Sequence, residues 1–390
     1  MKGRRKSSAS SSRARSRAKS PRRASSRNSG AAATPGGREV IEQLGALGHE
    51  QVSFFQDHAA GYRGIIAIHS TALGPALGGT RFWAYGSEAE ALTDVLRLSR
   101  GMTYKAATAG LALGGGKSVI IGENRTRARE AIFRAHGRHV AALGGRYITA
   151  EDVGTSPSDM AFIRAETRYV VGLEEGSGDP SPVTALGVYR GMKACAFHRW
   201  GSPSLAGKAV AVQGVGHVGY YLCKALHGEG AKLVVTDVVP EKVKQVVTEF
   251  GTRAVSPGEI YGVKADIFAP CALGGSINNA TVKRLKVEII AGGANNQLAE
   301  PRHGDLLEKR GITYAPDYVI NAGGLINVGA ELAGKDRAWA LAKASDIYDT
   351  VLHVLTIARD EGLPTYVAAD RLAERRIADA RAARNGSSPR

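Results

Sequence analysis

Residues 208–237 run KAVAVQGVGHVGYYLCKALHGEGAKLVVTD, and no other stretch limits the fold so tightly. An apolar strand pattern, Ala209–Gln213, enters Gly214-x-Gly216-x-x-Gly219. A helical pattern follows, and a second strand, Lys232–Thr236, ends at Asp237. A bare G-x-G-x-x-G is common; one between a strand and a helix, with an acid at the end of the next strand about 30 residues on, is the signature of a dinucleotide-binding βαβ unit. Gly214 suits the tight turn, Gly216 lets a pyrophosphate approach the backbone, and Gly219 lets helix and strand pack closely. The pyrophosphate would sit at the helix N-terminus, where free N–H groups and the dipole favour an anion. Asp237 would accept hydrogen bonds from the adenosine ribose and repel a 2′-phosphate, which favours NAD over NADP. The alternative is a βαβ unit without a ligand.

Around this unit, strand-like runs alternate with helical ones, which implies α/β layers. Strands are expected at Gly64–His69, Ser118–Ile121, Tyr147–Ala150, Asp266–Ala269 and Val287–Ala291. Helices are expected at Glu88–Thr103, Arg127–Ala142, Val183–Phe197, His217–His227 and Ala338–Arg359. Ser87-x-x-Glu90 has the form of a capping box. No apolar run approaches the roughly 18 residues a membrane-spanning helix needs. The three cysteines form no C-x-x-C pair, which leaves zinc and thioredoxin chemistry unsupported and suits a reducing, cytoplasmic setting.

Of the net charge of +16, eleven positive charges and no negative ones lie in residues 1–37, leaving +5 for the rest. This Ser- and Arg-rich segment lacks apolar periodicity and reads as a disordered tail. It is either a solvated appendage, a transit peptide, or a contact for nucleic acid or another polyanion. The last option defines the main rival from another functional class: a nucleic-acid-associated protein with a dinucleotide-binding body. A pseudoenzyme retaining only dinucleotide binding is a second rival.

Two lysines stand out in Met102–Ile121. Lys105 continues the apolar stripe of Leu92, Val95, Leu96 and Met102, and Lys117 follows three glycines. A buried lysine is costly unless paired or used. Gly116-Lys117-Ser118 looks like the end of a nucleotide P-loop, but position 111 is Leu111 where that motif needs glycine, and a strand rather than a helix follows. Asp152 closes another strand-like run, a common place for catalytic acids in α/β proteins; a helix-capping acid is the alternative.

These residues fall within ordered stretches that resemble the Glu/Leu/Phe/Val dehydrogenases, the leucine-acting branch most of all. The stretches are Gly74-Pro-Ala-Leu-Gly-Gly-Thr-Arg81, Met102-Thr-Tyr-Lys105, Gly114-Gly-Gly-Lys117 and Ala150-Glu-Asp-Val-Gly-Thr155. Pro182-Val-Thr184, Gln213–Gly219, Ala269-Pro-Cys-Ala-Leu273, Ala294-Asn-Asn-Gln297 and Ala315–Gly324 follow. The resemblance runs from about Val52 to Ile377 and omits the tail. It implies that Lys105 binds the substrate α-carboxylate, Lys117 is the general base that activates water, and Asp152 shuttles protons to the amino group. Thr184 and Asn295 would orient the nicotinamide, and Leu77, Gly78, Ala150, Leu325 and Val328 would line the substrate pocket.

The implied reaction is NAD-dependent oxidative deamination of leucine, valine and isoleucine, and the reverse reductive amination. Free lysine titrates near pH 10.4, so a base at Lys117 must be shifted down by burial and by the second cation, Lys105. The glutamate branch carries a lysine where this chain has Leu77, which predicts very poor use of glutamate. Leu325 stands where the leucine-acting pattern has Val, which shortens the pocket and favours smaller side chains. Gly293 replaces an expected Ser. Phenylalanine-type specificity is the alternative. The expected architecture is an α/β substrate domain over 38–181, a Rossmann-type domain over 182–349, C-terminal helices over 350–390 returning to the first domain, and a cleft between. The resemblance also implies a homo-oligomer, an octamer.

Overall fold

A computed structural model describes residues 40–173 and 178–386. The expectation of a disordered tail over 1–37 lies outside the described residues. After helix α1 (Val40–Leu47), the strands β1 (Gln51–Asp57), β2 (Tyr62–Ser70), β3 (Ala76–Trp83), β4 (Gly114–Ile121) and β5 (Tyr147–Glu151) form a mixed sheet in the order β1-β2-β4-β3-β5. β2 runs antiparallel to β1 and β4, whereas β3 runs parallel to β4 and β5. Helices cover both faces, so β2 is a nearly continuous apolar run rather than an alternating one. Ile65, Ala67 and Val119 face Leu92, Val95 and Leu96 of α2 (Glu88–Thr108). On the opposite face, Ile66 and Ile68 meet Val140, and Ile120 meets Ile132 and Phe133, all from α3 (Arg129–Ala142). The period of two along each strand thus assigns side chains to faces.

After α4 (Pro157–Arg164) and the buried α5 (Ser181–Trp200), the second sheet begins. It comprises β6 (Ala209–Gln213), β7 (Lys232–Thr236), β8 (Arg253–Ala254), β9 (Ile267–Pro270), β10 (Ile289–Ile290) and β11 (Thr313–Tyr314). All pairs are parallel, in the order β11-β10-β9-β6-β7-β8. This is the doubly wound dinucleotide-binding order, whose direction reverses between β6 and β9, where such folds bind ligands. Its helices are α6 (His217–Gly228), α7 (Pro240–Phe250), α8 (Pro301–Lys309), α9 (Asp317–Ile320) and α10 (Gly323–Leu332). They are followed by α11 (Arg337–Ser345), α12 (Ile347–Glu361) and α13 (Thr365–Gly386). α13 returns to the first sheet's helix: Arg376 donates to the carbonyls of Ala107 and Thr108 at 2.8 and 2.7 Å, and Tyr104 to Glu374 at 2.7 Å. Among the described residues no helix is long and apolar enough to cross a membrane.

The expected α/β architecture with two domains is observed, with local corrections. The single helix expected over Ala338–Arg359 is two, α11 and α12: Asp346 N–H closes the first on the Lys343 carbonyl, and the Asp346 carbonyl opens the second to Thr350 N–H. β1 and β3 carry no expected strand; β3 is masked by its glycines. At the start of α2 the serine half of the capping box forms, Glu90 N–H donating to Ser87 Oγ at 3.2 Å, but the Glu90 carboxylate accepts from Gly86 N–H instead of Ser87 N–H.

Beneath the first sheet lies a buried polar network. Tyr62 and His136 Nδ1 are 2.9 Å apart, and His136 Nε2 meets Thr80 and Ser118 at 2.9 and 3.2 Å. Tyr147 donates to the Gly78 carbonyl at 2.6 Å, and its hydroxyl oxygen lies 3.1 Å from Ser118 Oγ. Burial, aided by His139, pushes the His136 pKa down to about 3. The unfolded chain takes up this proton near pH 6.5 and the folded one only near 3, so stability is complete above about 6.5 and falls as the pH drops, by up to about 1.4 kcal/mol per unit. In His136→Gln, which cannot titrate, the urea midpoint should fall less between about pH 7 and pH 5 than in the parent; equal falls would clear His136 of the effect.

Candidate active site

The C-terminal ends of β3 and β5 and the middle of β4 deliver their side chains to one place because the backbones there lie unusually close. A Cβ on Gly78 would stand 1.7 Å from the Gly116 carbonyl oxygen, and one on Gly79 2.2 Å from that of Glu151, so no larger residue fits either position. By strand alternation Leu77 and Arg81 of β3, Lys117 of β4, and Ala150 and Asp152 at the end of β5 share the face turned toward α2.

Lys117 is 4% exposed. Its ammonium lies 2.9 Å from Asp152 Oδ1, while Asp152 Oδ2 accepts from Arg81 Nε at 2.9 Å. Burial pulls the Lys117 pKa down against the opposing pull of Asp152, and Arg81 lowers it further. For Asp152, burial works upward, but the two cations outweigh it and keep the carboxylate ionised. Lys105, on the last turn of α2, donates to Asn295 Oδ1 at 3.2 Å. Its pKa falls to about 8, chiefly through burial, with Asp317 opposing and Lys117 adding to the drop.

Lys105, Lys117 and Asp152 line one cavity of about 340 Å³, within the range of small-molecule sites. Leu77, Gly78, Ala150, Leu325, Val328, Thr184 and Asn295 line it too, so the structure brings together every residue assigned from sequence to substrate or nicotinamide. Leu77 and Leu325 belong to one apolar cluster with Ile148, against which Ala150 and Val328 pack. Sequence reasoning gave no role here to Met102, Glu151, Val218 and Asn321, which also line the cavity. Asn321 Nδ2 donates to Asn295 Oδ1 at 2.8 Å, which fixes the Asn295 carboxamide, and its own buried Oδ1 has no partner among the described residues. Its signals were its place in the matched stretch Ala315–Gly324 and a polar residue between Ile320 and Ala322. Arg81 was visible in the matched stretch, but nothing in the spacing tied it to Asp152.

Gly214, Gly216, Gly219 and Asp237 lie outside the cavity wall and form the adjoining turn; Val218, in the first turn of α6, joins the two. Gly214 has φ +93°, and a Cβ on Gly219 would stand 2.0 Å from the Gly214 carbonyl oxygen. At Gly216 a Cβ would meet only Lys242 Nζ, at 3.8 Å. The turn is therefore tight where helix meets strand and open where a diphosphate would approach the N-terminus of α6, which fits a dinucleotide. Asp237 braces the turn, accepting from Val215 N–H at 2.8 Å and Val239 N–H at 3.0 Å. Each of its oxygens retains acceptor capacity for a further donor.

Known proteins resemble the chain over most of its length. The family described as Glu/Leu/Phe/Val dehydrogenase, dimerisation domain, matches residues 49–169, and Glutamate/Leucine/Phenylalanine/Valine dehydrogenase matches residues 234–385. The chain is 59% identical to the leucine dehydrogenase of Geobacillus stearothermophilus, over 89% of this chain and 95% of that protein. It is 50% identical to the valine dehydrogenase of Streptomyces albus, over 86% of this chain and 94% of that one. The crystal structure of L-tryptophan dehydrogenase from Nostoc punctiforme superposes with a TM-score of 0.81 at 50% identity, covering 87% of this chain and 99% of that one. With the doubly wound sheet, the lysine-lined cavity and the glycine turn all in place, the chain belongs to the Glu/Leu/Phe/Val family of amino-acid dehydrogenases.

Proposed function

We propose that the protein is an NAD-dependent dehydrogenase that oxidatively deaminates leucine, isoleucine and valine to their 2-oxo acids, with release of ammonia, and runs the reverse amination. The observation that carries this reading is the buried Lys117–Asp152 pair at 2.9 Å, in a cavity that also holds Lys105 and abuts the glycine turn. In the proposed division of labour, residues 38–181 bind the amino acid and residues 182–349 the dinucleotide, with 350–390 completing the first part.

Lys105 pairs with the substrate α-carboxylate, which restores its full positive charge. Asp152, with one oxygen on Arg81, accepts a proton from the substrate ammonium and returns it to the departing ammonia. The bound dinucleotide supplies the hydride acceptor. Once Cα has given up its hydride, Lys117 takes a proton from water as that water attacks the iminium carbon, and a lysine can do this near neutral pH only if its pKa is lowered. Thr184 and Asn295, the latter held by Asn321, orient the nicotinamide. The carboxylate of Asp237 favours NAD over NADP by opposing a 2′-phosphate.

Specificity follows from Leu77, Ala150, Leu325 and Val328. None can compensate a buried γ-carboxylate, and Leu325 limits depth. With a panel of L-amino acids at alkaline pH and NAD or NADP, the three branched-chain substrates should turn over with NAD. Glutamate should be worse by roughly a hundredfold or more in kcat/KM, and phenylalanine worse than leucine. Efficient glutamate turnover would sink the pocket assignment. Lys117→Ala should lower kcat by about 10²–10⁴ and abolish the acid limb of the pH–rate profile; an unchanged profile would remove Lys117 as base.

For assembly and location we propose a cytoplasmic homo-octamer, supported by the family description of residues 49–169 as a dimerisation domain. The exposed Phe54 on edge strand β1 and Trp83 on β3 also favour burial against a second copy. The tail's eleven cations without an acid favour an accessory contact with a polyanion. Removal of residues 1–37 should leave turnover unchanged and abolish salt-sensitive retention on heparin; lost turnover would make the tail part of the enzyme proper.

A further inference from the structure

Arg81 does not line the cavity, yet it touches the carboxylate that holds Lys117. Its Nε meets Asp152 Oδ2 at 2.9 Å, and its outer nitrogen meets Asp94 Oδ2, on α2, at 2.7 Å. Asp94 also accepts from Tyr85 at 2.8 Å and from the exposed Arg97 at 3.0 Å. Arg81, Asp94 and Asp152 are all about four-fifths buried at the side chain, so water screens the chain of charges only weakly. The sequence is therefore ammonium, carboxylate, guanidinium, carboxylate, running from the cavity into the α2 interface.

We propose that Arg81 and Asp94 are positioning residues that tune Lys117 from outside the cavity: Arg81 divides the Asp152 carboxylate between two cations, and Asp94 limits how strongly Arg81 competes. This rests on Lys117 being the base. Were Asp152 to serve Lys117 alone, the pair would hold the ammonium protonated, since an opposite charge in contact favours the charged form. Arg81 occupies the second oxygen and adds its own repulsion, which favours neutral Lys117. Asp94 acts with the opposite sign. The charged groups around Lys117 are Asp152 after β5, Arg81 on β3, and Asp94 and Lys105 on α2; Asp317 on α9 acts on Lys105. Arg81 also fixes which oxygen of Asp152 faces the cavity, and hence the atom that would meet a substrate amine.

The signs give a test that a merely structural role would not pass. In the full-length enzyme, Arg81→Gln should move the acid limb of the kcat/KM profile to higher pH, and Asp94→Asn should move it to lower pH, each by roughly half a unit to one unit. Arg81→Lys, which keeps the charge, should stay closer to the parent than Arg81→Gln. Titration of the ¹³C-labelled Lys117 side chain by NMR should shift in the same directions without reference to turnover. Shifts of the same sign in Arg81→Gln and Asp94→Asn, or none in folded protein, would overturn the proposal. If Arg81→Gln does not fold, Asp94→Asn decides alone: a downward shift is required. Lys117→Ala run in parallel separates the two levels of the reading. An acid limb that survives there defeats Lys117 as base, whereas its loss together with unmoved limbs in the other variants defeats only the roles of Arg81 and Asp94.

Discussion

The structure of the site follows from one expensive act, the burial of an ammonium group in the middle of a strand. Leaving Lys117 charged and unpaired in this environment would cost several kcal/mol. The protein meets that cost with a single contact, Asp152 at 2.9 Å, and then prevents the contact from becoming a locked ion pair by engaging the other oxygen of Asp152 with Arg81. The result is a lysine whose pKa burial and Arg81 pull down while Asp152 holds it up. Lys105, less buried, donates to Asn295 instead of to a carboxylate. Two lysines on neighbouring elements thereby acquire different chemistry from their surroundings alone.

Such an arrangement needs backbones closer than side chains usually permit. Gly78 and Gly116 supply this on β3 and β4, where the carbonyl of one strand fills the space a Cβ of the other would need. The polar network lies on the face to which these two glycines would point a side chain: a Cβ on Gly116 would stand 2.7 Å from the Tyr147 ring. Tyr147 ties the Gly78 carbonyl to Ser118, the residue after Lys117, so the strand that carries Lys117 is anchored where its own glycines give it no side chains to pack.

How much of this can be read in the chain depends on the range of the interaction. β6, β7 and the start of α6 appear at the limits expected from sequence, because strand, turn and helix signals are local. Lys105, Lys117 and Asp152 were legible as chemistry, since an unusual residue in an apolar setting announces itself, and the resemblance placed them together. β3 was not legible, because Gly78 and Gly79 look like a loop until the neighbouring strands explain them. Nor were the roles of Arg81 and Asn321: Arg81 lies 71 residues from Asp152 and Asn321 lies 26 from Asn295, and no periodicity links such pairs. The split between α11 and α12 was hidden by an apolar pattern that continues across Asp346.

The two halves of the site differ in how they tolerate change, and this bears on how one fold can serve leucine, valine and tryptophan enzymes. The charged half is a chain of contacts in which each member sets the state of the next, so substitution at one place is felt at Lys117. The apolar half, Leu77, Ala150, Leu325 and Val328, joins the main core cluster through dispersion and burial alone, so its members couple to one another through shared volume rather than through charge. Pocket shape can therefore vary by a methylene at Leu325 without disturbing the basicity of Lys117, whereas no change at Arg81 or Asp94 is expected to leave it untouched. In the proposed reading, substrate choice and proton chemistry are separable because one is written in volume and the other in linked charge.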